Sequence, residues 1–155
     1  MKIFVNDEVV VEGNLNGFTN PAIEAGLVHC RALLEFLGLC MTSGRRLGNR
    51  KKRRNSDIDI EHFQNASGYL SMVTPDDALK FYKGPPTDVE EALLTVFETT
   101  NKGIAHSTSD FNAHPEHARL AEIASRGIPP LVVSHLYTPL GLAAPDYKIT
   151  GRPRG

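Results

Sequence analysis

The stretch "NPAIEAGLVHCRALLEFLG", Asn20 to Gly38, decides how this chain is read. Asn20 can accept a hydrogen bond from a free amide of a first helical turn, and Pro21 brings a φ already suited to a first helical position. Gly38 stands where a helix end favours a left-handed residue. The spacing therefore predicts a helix over 21–37. At 100° per residue Ile23, Leu27, Cys30, Leu33, Leu34 and Leu37 form one apolar stripe, with Ala25, His29, Ala32 and Phe36 as a second flank. So wide an apolar girth predicts a central helix with neighbours on several sides.

Outward from it, a second helix is expected in "TDVEEALLTVFETTNKGIAH", with Thr87 and Glu90 at capping-box spacing and Val89, Leu93, Val96, Phe97, Thr100 and Ile104 facing inward. "TPDDALKFY" predicts a short helix capped by Thr74, and "HPEHARLAEIASRG" one that runs from Pro115 to a stop at Gly127. The apolar run Leu131 to Tyr137 leans to helix. Before the first helix, Ile3 to Val5 and Val9 to Val11 flank Asn6-Asp7, which suits a hairpin or a frayed arm. "DIDIEHF" reads as extended chain docking Ile58, Ile60 and Phe63 onto the helices. The fold class expected is all-α or mainly α, a bundle of about four helices, with room for a small N-terminal β element.

The 155 residues, 41% hydrophobic and 23% charged, fit a single domain over 1–155 with one core. Residues 143–155 are expected to be an irregular tail. Ala22 to Met41 is interrupted by Glu24, His29, Arg31 and Glu35, which argues against a membrane span, and no signal-like start is present, so the expected location is cytoplasmic. Cys30 and Cys40 are placed too far apart on one helix for a disulfide, about 15 Å of rise, and read as reduced thiols.

Charge is unevenly distributed. "RRLGNRKKRR", 45–54, carries seven of the 17 basic residues, and without it ten lysines and arginines face 18 acids, a net charge of -8. With Gly44, Gly48 and like charges, 42–56 reads as an exposed basic loop. Arg45, Arg46, Arg50, Lys51, Lys52, Arg53 and Arg54 are the candidate contacts for a nucleic acid or an acidic protein partner. Phosphates would be bound by charge alone, since the run has no aromatic residue on which a base could stack. The same run could instead fold back onto its own acidic surface.

No nucleotide-loop, G-x-S-x-G or H-E-x-x-H pattern is present, and no cofactor is implied. His29, on the inner flank of the first helix, is a candidate acid/base group, although a hydrogen-bonded core histidine is the plainer reading. His114 and His117 of "HPEH" could start a metal site with His106 and Asp110, but the cysteines are wrongly spaced to complete it, and no metal site is assigned.

"NPAIEAGLVHCRALLEFL", "RRNSDIDIEHF" and "NKGIAHST" together resemble a group of small, mostly bacterial helical proteins of no settled activity. Glu24, Ala25, His29, Arg31, Leu34 and Phe36 or Leu37 carry the first part of the likeness. Arg54, Asp57 and Phe63 carry the second, and Asn101, Lys102, His106 and Thr108 the third. The resemblance implies that His29, Arg31 and His106 share a polar cluster. The group is also loosely similar to HEPN domains, which include ribonucleases and toxin–antitoxin components. HEPN ribonucleases place a His four to six residues after an Arg, whereas seven residues separate Arg54 from His62 and eight separate Arg126 from His135. The expected function is a non-enzymatic binding domain, able to form a homodimer; the alternative is an HEPN-like ribonuclease using His29, Arg31 and His106.

Overall fold

A computed structural model describes residues 2–51, 56–103 and 115–145. Three long helices, α1 (Leu15–Phe36), α3 (Pro86–Glu98) and α4 (Pro115–Val132), build the body, with the short α2 (Pro75–Phe81) beside them. Three two-stranded antiparallel sheets accompany them: β1 (Lys2–Val5) with β2 (Glu8–Glu12), β3 (Leu39–Met41) with β4 (Leu47–Asn49), and β5 (Gln64–Asn65) with β6 (Gly68–Tyr69). The expected mainly α, four-helix bundle is thereby corrected to a mixed fold of helices and small sheets. Two of those sheets lie inside 39–69; of the expected loop 42–56, Ser43 and Gly44 lie in the turn of the β3–β4 hairpin, whereas Gly48 and Asn49 are strand residues of β4.

α1 buries Leu27, Cys30, Leu34 and Leu37 along one stripe, against Val89, Leu93, Val96 and Phe97 of α3 and Leu120, Ala124, Ile128 and Leu131 of α4. The spacing is that of a single helical face. Among the described residues of α1, buried side chains begin at Leu27. Ile23 of the expected stripe is exposed, and of the expected second inner flank Ala25, His29 and Ala32 are outer surface while Phe36 packs against the core. The helix also starts six residues before Pro21, which removes one amide from the ladder without ending it.

Gly38 ends α1 with φ +90°, and a Cβ there would collide with the Met72 side chain. Its carbonyl accepts from the Arg50 amide at 2.9 Å and from Asn49 Nδ2 at 3.2 Å. Asn49 Nδ2 also donates to the Val73 carbonyl at 2.8 Å, so one side chain ties β4, the end of α1 and the segment before α2 together.

α2 is capped as its sequence predicts, with Thr74 Oγ1 accepting from the Asp77 amide at 3.1 Å. α3 is not. It begins at Pro86 with Pro85 as cap and no side-chain cap bond, so the expected cap Thr87 lies inside the first turn, and Glu90 bonds to Arg46 and the Leu47 amide of the β3–β4 hairpin. α4 passes through Gly127 and both Pro129 and Pro130 into a π-helical turn, Val133–Tyr137. Gly127 does not stop the helix; it admits the Tyr82 ring, into which a Cβ would project. Ile60 is buried in a 3-10 turn and Phe63 meets Phe36 edge-on at 5.8 Å, while Ile58 is exposed rather than docked.

Candidate interaction surfaces

Within the segment expected to be loop, residues 42–46 form the tip of the β3–β4 hairpin and Leu47 is buried. The tip is closed by the Thr42 amide donating to the Arg46 carbonyl at 2.9 Å and the Arg45 amide to the Thr42 carbonyl at 3.0 Å, with Arg45 in the left-handed region at φ 53°. This turn lays two guanidinium groups on α3. Arg45 Nη1 donates to Glu91 Oε2 at 2.9 Å and Nε to Glu98 Oε1 at 2.7 Å, and Nη2 reaches both carboxylates. Glu91 and Glu98 lie seven residues apart, two turns on one face, so one planar fork spans them.

Arg46 Nε donates to Glu90 Oε1 at 2.9 Å, and the same oxygen accepts from the Leu47 amide at 3.1 Å. The Arg45 hydrogen bond holds the Glu91 carboxyl below its ordinary range, against the opposing effect of partial burial, and raises the Arg45 pKa further.

Arg50 belongs to a second network. Its Nη2 donates to Asp57 Oδ2 at 3.3 Å and its Nη1 lies 3.9 Å from Glu35 Oε2, while Arg31 Nε donates to Glu35 Oε1 at 2.9 Å. Arg31 Nη1 reaches Asn101 Oδ1 at 2.5 Å. Residues from the first and third parts of the family resemblance therefore meet. His29 is exposed and joins no hydrogen bond among the described residues, and His106 and His114 lie outside them. The buried-histidine reading of His29 is thereby corrected: it stands on the exposed flank of α1, between the buried Leu27 and Cys30.

Of the basic run, Arg45, Arg46 and Arg50 face carboxylates of this chain, Lys51 is exposed, and Lys52, Arg53 and Arg54 lie outside the described residues. The partners Glu35, Asp57, Glu90, Glu91 and Glu98 were not singled out from sequence as partners of this run. The acidic excess of the remaining chain was the available signal.

Near the starts of α3 and α4 an open depression of about 410 Å³ is lined by Asp88, Glu91, Glu116, His117, Arg119 and Leu120. Arg119 occupies its rim, bonded to Glu116 and 3.4 Å from Asp88. Among the described residues no group of three or more His, Cys, Asp or Glu side chains is placed to hold a metal, and no helix is long and apolar enough to cross a membrane. Cys30 and Cys40 are free thiols, and burial pushes both pKa values up; Cys40 sits in β3, not in α1.

Large apolar side chains are exposed at the N-terminal end of the described residues. Ile3, Phe4, Val5, Val9 and Val10 of the first hairpin and Ile23 and Val28 of α1 are all exposed, Phe4 and Ile23 at 58% each. The β1–β2 turn suits its sequence, since Asn6 and Asp7 both take positive φ, 49° and 65°. Among the described residues, no buried core side chain comes from 2–26. Comparison of the chain with protein-family models, curated proteins and solved structures returns no match.

Proposed function

We propose that this chain is a non-enzymatic interaction domain in which residues 2–28 form the docking arm and α1, α3 and α4 form the scaffold. The observation that carries the reading is the placement of seven large exposed apolar side chains in that arm, beside a core built without them. Clustered apolar exposure of this kind marks contact surfaces, whereas scattered single residues do not. A basic contribution to an acidic partner or nucleic acid is assigned to Lys51 through Arg54, because Arg45, Arg46 and Arg50 are already opposite carboxylates.

The test is site-specific photo-crosslinking in cells, with a photoreactive phenylalanine analogue at Phe4, at Ile23, or at Ser125 on the exposed side of α4. Covalent adducts from the first two positions and none from the third are expected. Equal yields from all three, or none from Phe4 and Ile23, would remove the arm as a docking element.

A further inference from the structure

We infer that the occupant of the arm is a second copy of this chain, joined by antiparallel pairing of β1 with the partner's β1 across a two-fold axis into a four-stranded sheet. This rests on the reading of residues 2–28 as a docking arm and names its partner.

The hairpin as it stands is a two-stranded ribbon with both faces wet: Phe4 pairs with Val9 on one face and Ile3 with Val11 on the other, and Ile3, Phe4 and Val9 are all exposed. Such a ribbon is marginal in water and gains stability from further strands or from a covering surface. Two edges are open to pairing, and their charges choose between them. β2 reads Glu-Val-Val-Val-Glu, so self-pairing about Val10 would set Glu8 opposite the partner's Glu12 twice. Like charges directly opposite are destabilising, and edge charges commonly block strand addition.

β1 reads Lys-Ile-Phe-Val. Centred on Ile3, its self-pairing sets Ile3 opposite the partner's Ile3 and Lys2 opposite the partner's Phe4, with no like-charge pair. β-branched side chains pack well against their neighbours on a pleated sheet. The existing register pairs Lys2 with Glu12 and Val5 with Glu8. It also pairs Ile3 with Val11, so the row through the two-fold axis runs Val11, Ile3, the partner's Ile3, the partner's Val11, all apolar and on one face. In the flanking rows the Lys2 ammonium faces the partner's Phe4, so no like charges meet. In the single chain it has Glu12 at 3.1 Å. α1 adds no repulsion next to the arm, for Glu24 is the one Asp, Glu, Lys or Arg between Leu15 and Cys30.

Sedimentation velocity of the full chain over a concentration series tests this, with the wild type, an I3K/F4K double variant and a V9K/V10K control that places the same charge on β2. All four positions are exposed, and far-UV circular dichroism checks that the helices remain. The wild type and V9K/V10K are expected to shift from monomer to dimer with concentration, and I3K/F4K to lose the dimer. In the wild type, amides within residues 2–5 should gain hydrogen-exchange protection as concentration rises, a readout that needs no variant.

A wild type that stays monomeric, a dimer that survives I3K/F4K, or equal loss in V9K/V10K would overturn β1 self-pairing. Crosslinking at Phe4 to a different protein, with a monomeric wild type, would keep the docking arm and reject the second copy. Absence of any adduct at Phe4 would reject both.

Discussion

Arg45 holds Glu91 through both of its terminal guanidinium nitrogens while its Nε holds Glu98, so a residue expected to reach for phosphate instead fastens a hairpin tip to α3. Its three donors are aligned with two carboxylates, a geometry that exceeds an ordinary surface pair in specificity if not greatly in energy.

Replacing Arg45 with Ala should destabilise the chain by about 1 kcal/mol, the scale of a well-formed but solvent-screened ion-pair network. Urea unfolding measures the loss, and a double-mutant cycle with Glu91→Ala should recover a coupling of a few tenths of a kcal/mol to about 1 kcal/mol. Additive single effects would show that the fork contributes nothing as a pair.

Glu90→Ala should cost more than its exposure suggests, about 1–2 kcal/mol, because the Leu47 amide loses its acceptor at the start of β4. Amide exchange at Leu47 should accelerate in this variant and remain slower in Arg46→Ala, which leaves the Glu90 oxygen in place.

The Glu91 carboxyl has a folded-state pKa below its ordinary value of 4.5, owing first to the Arg45 hydrogen bond. The unfolded chain binds that proton more readily, so the contribution is fully present above the ordinary value and is lost as pH falls through the lowered one. Unfolding midpoints across an acid series should drop less steeply for Arg45→Ala than for the wild type. Parallel profiles would remove Glu91 from the acid response.

Gly127→Val should destabilise by about 1–3 kcal/mol, since its side chain must enter the space of the Tyr82 ring. Tyr82→Phe should be neutral or stabilising by up to about 1 kcal/mol, because the hydroxyl is buried with no hydrogen-bond partner among the described residues and burial already pushes its pKa up. Thermal unfolding distinguishes the two, and a large loss in Tyr82→Phe would reveal a partner for that oxygen.

If the basic segment meets nucleic acid, neutralising Lys51, Lys52, Arg53 and Arg54 should flatten the salt dependence of single-stranded RNA binding. The log–log slope should fall by about 0.7 for each phosphate that the variant no longer neutralises. Neutralising Arg45 and Arg46 should leave that slope nearly unchanged. The reverse pattern would mean that phosphate displaces Glu90, Glu91 and Glu98.

The sequence by itself determined the elements whose signals are local. Gly38 marks the end of α1 because only a residue without Cβ suits φ +90° against Met72. Thr74 caps α2 through a bond three residues away, and Asn6-Asp7 turns the first hairpin. The 3.6-residue spacing likewise named Leu27, Cys30, Leu34 and Leu37 of the buried stripe, although Ile23 of the same stripe is exposed.

Tertiary structure decided the rest, because the deciding forces came from residues far along the chain. Glu90 had a local partner in the capping box and took distant ones, the Leu47 amide and Arg46, 43 and 44 residues away. The basic run looked self-repelling until the carboxylates of α3 and those near its own end offset part of its charge. The apolar flank holding Ala25, His29 and Ala32 predicted a neighbour, but periodicity records which residues share a face, not whether another helix reaches it. Among the described residues burial on α1 begins at Leu27, which leaves the arm as the candidate interaction surface.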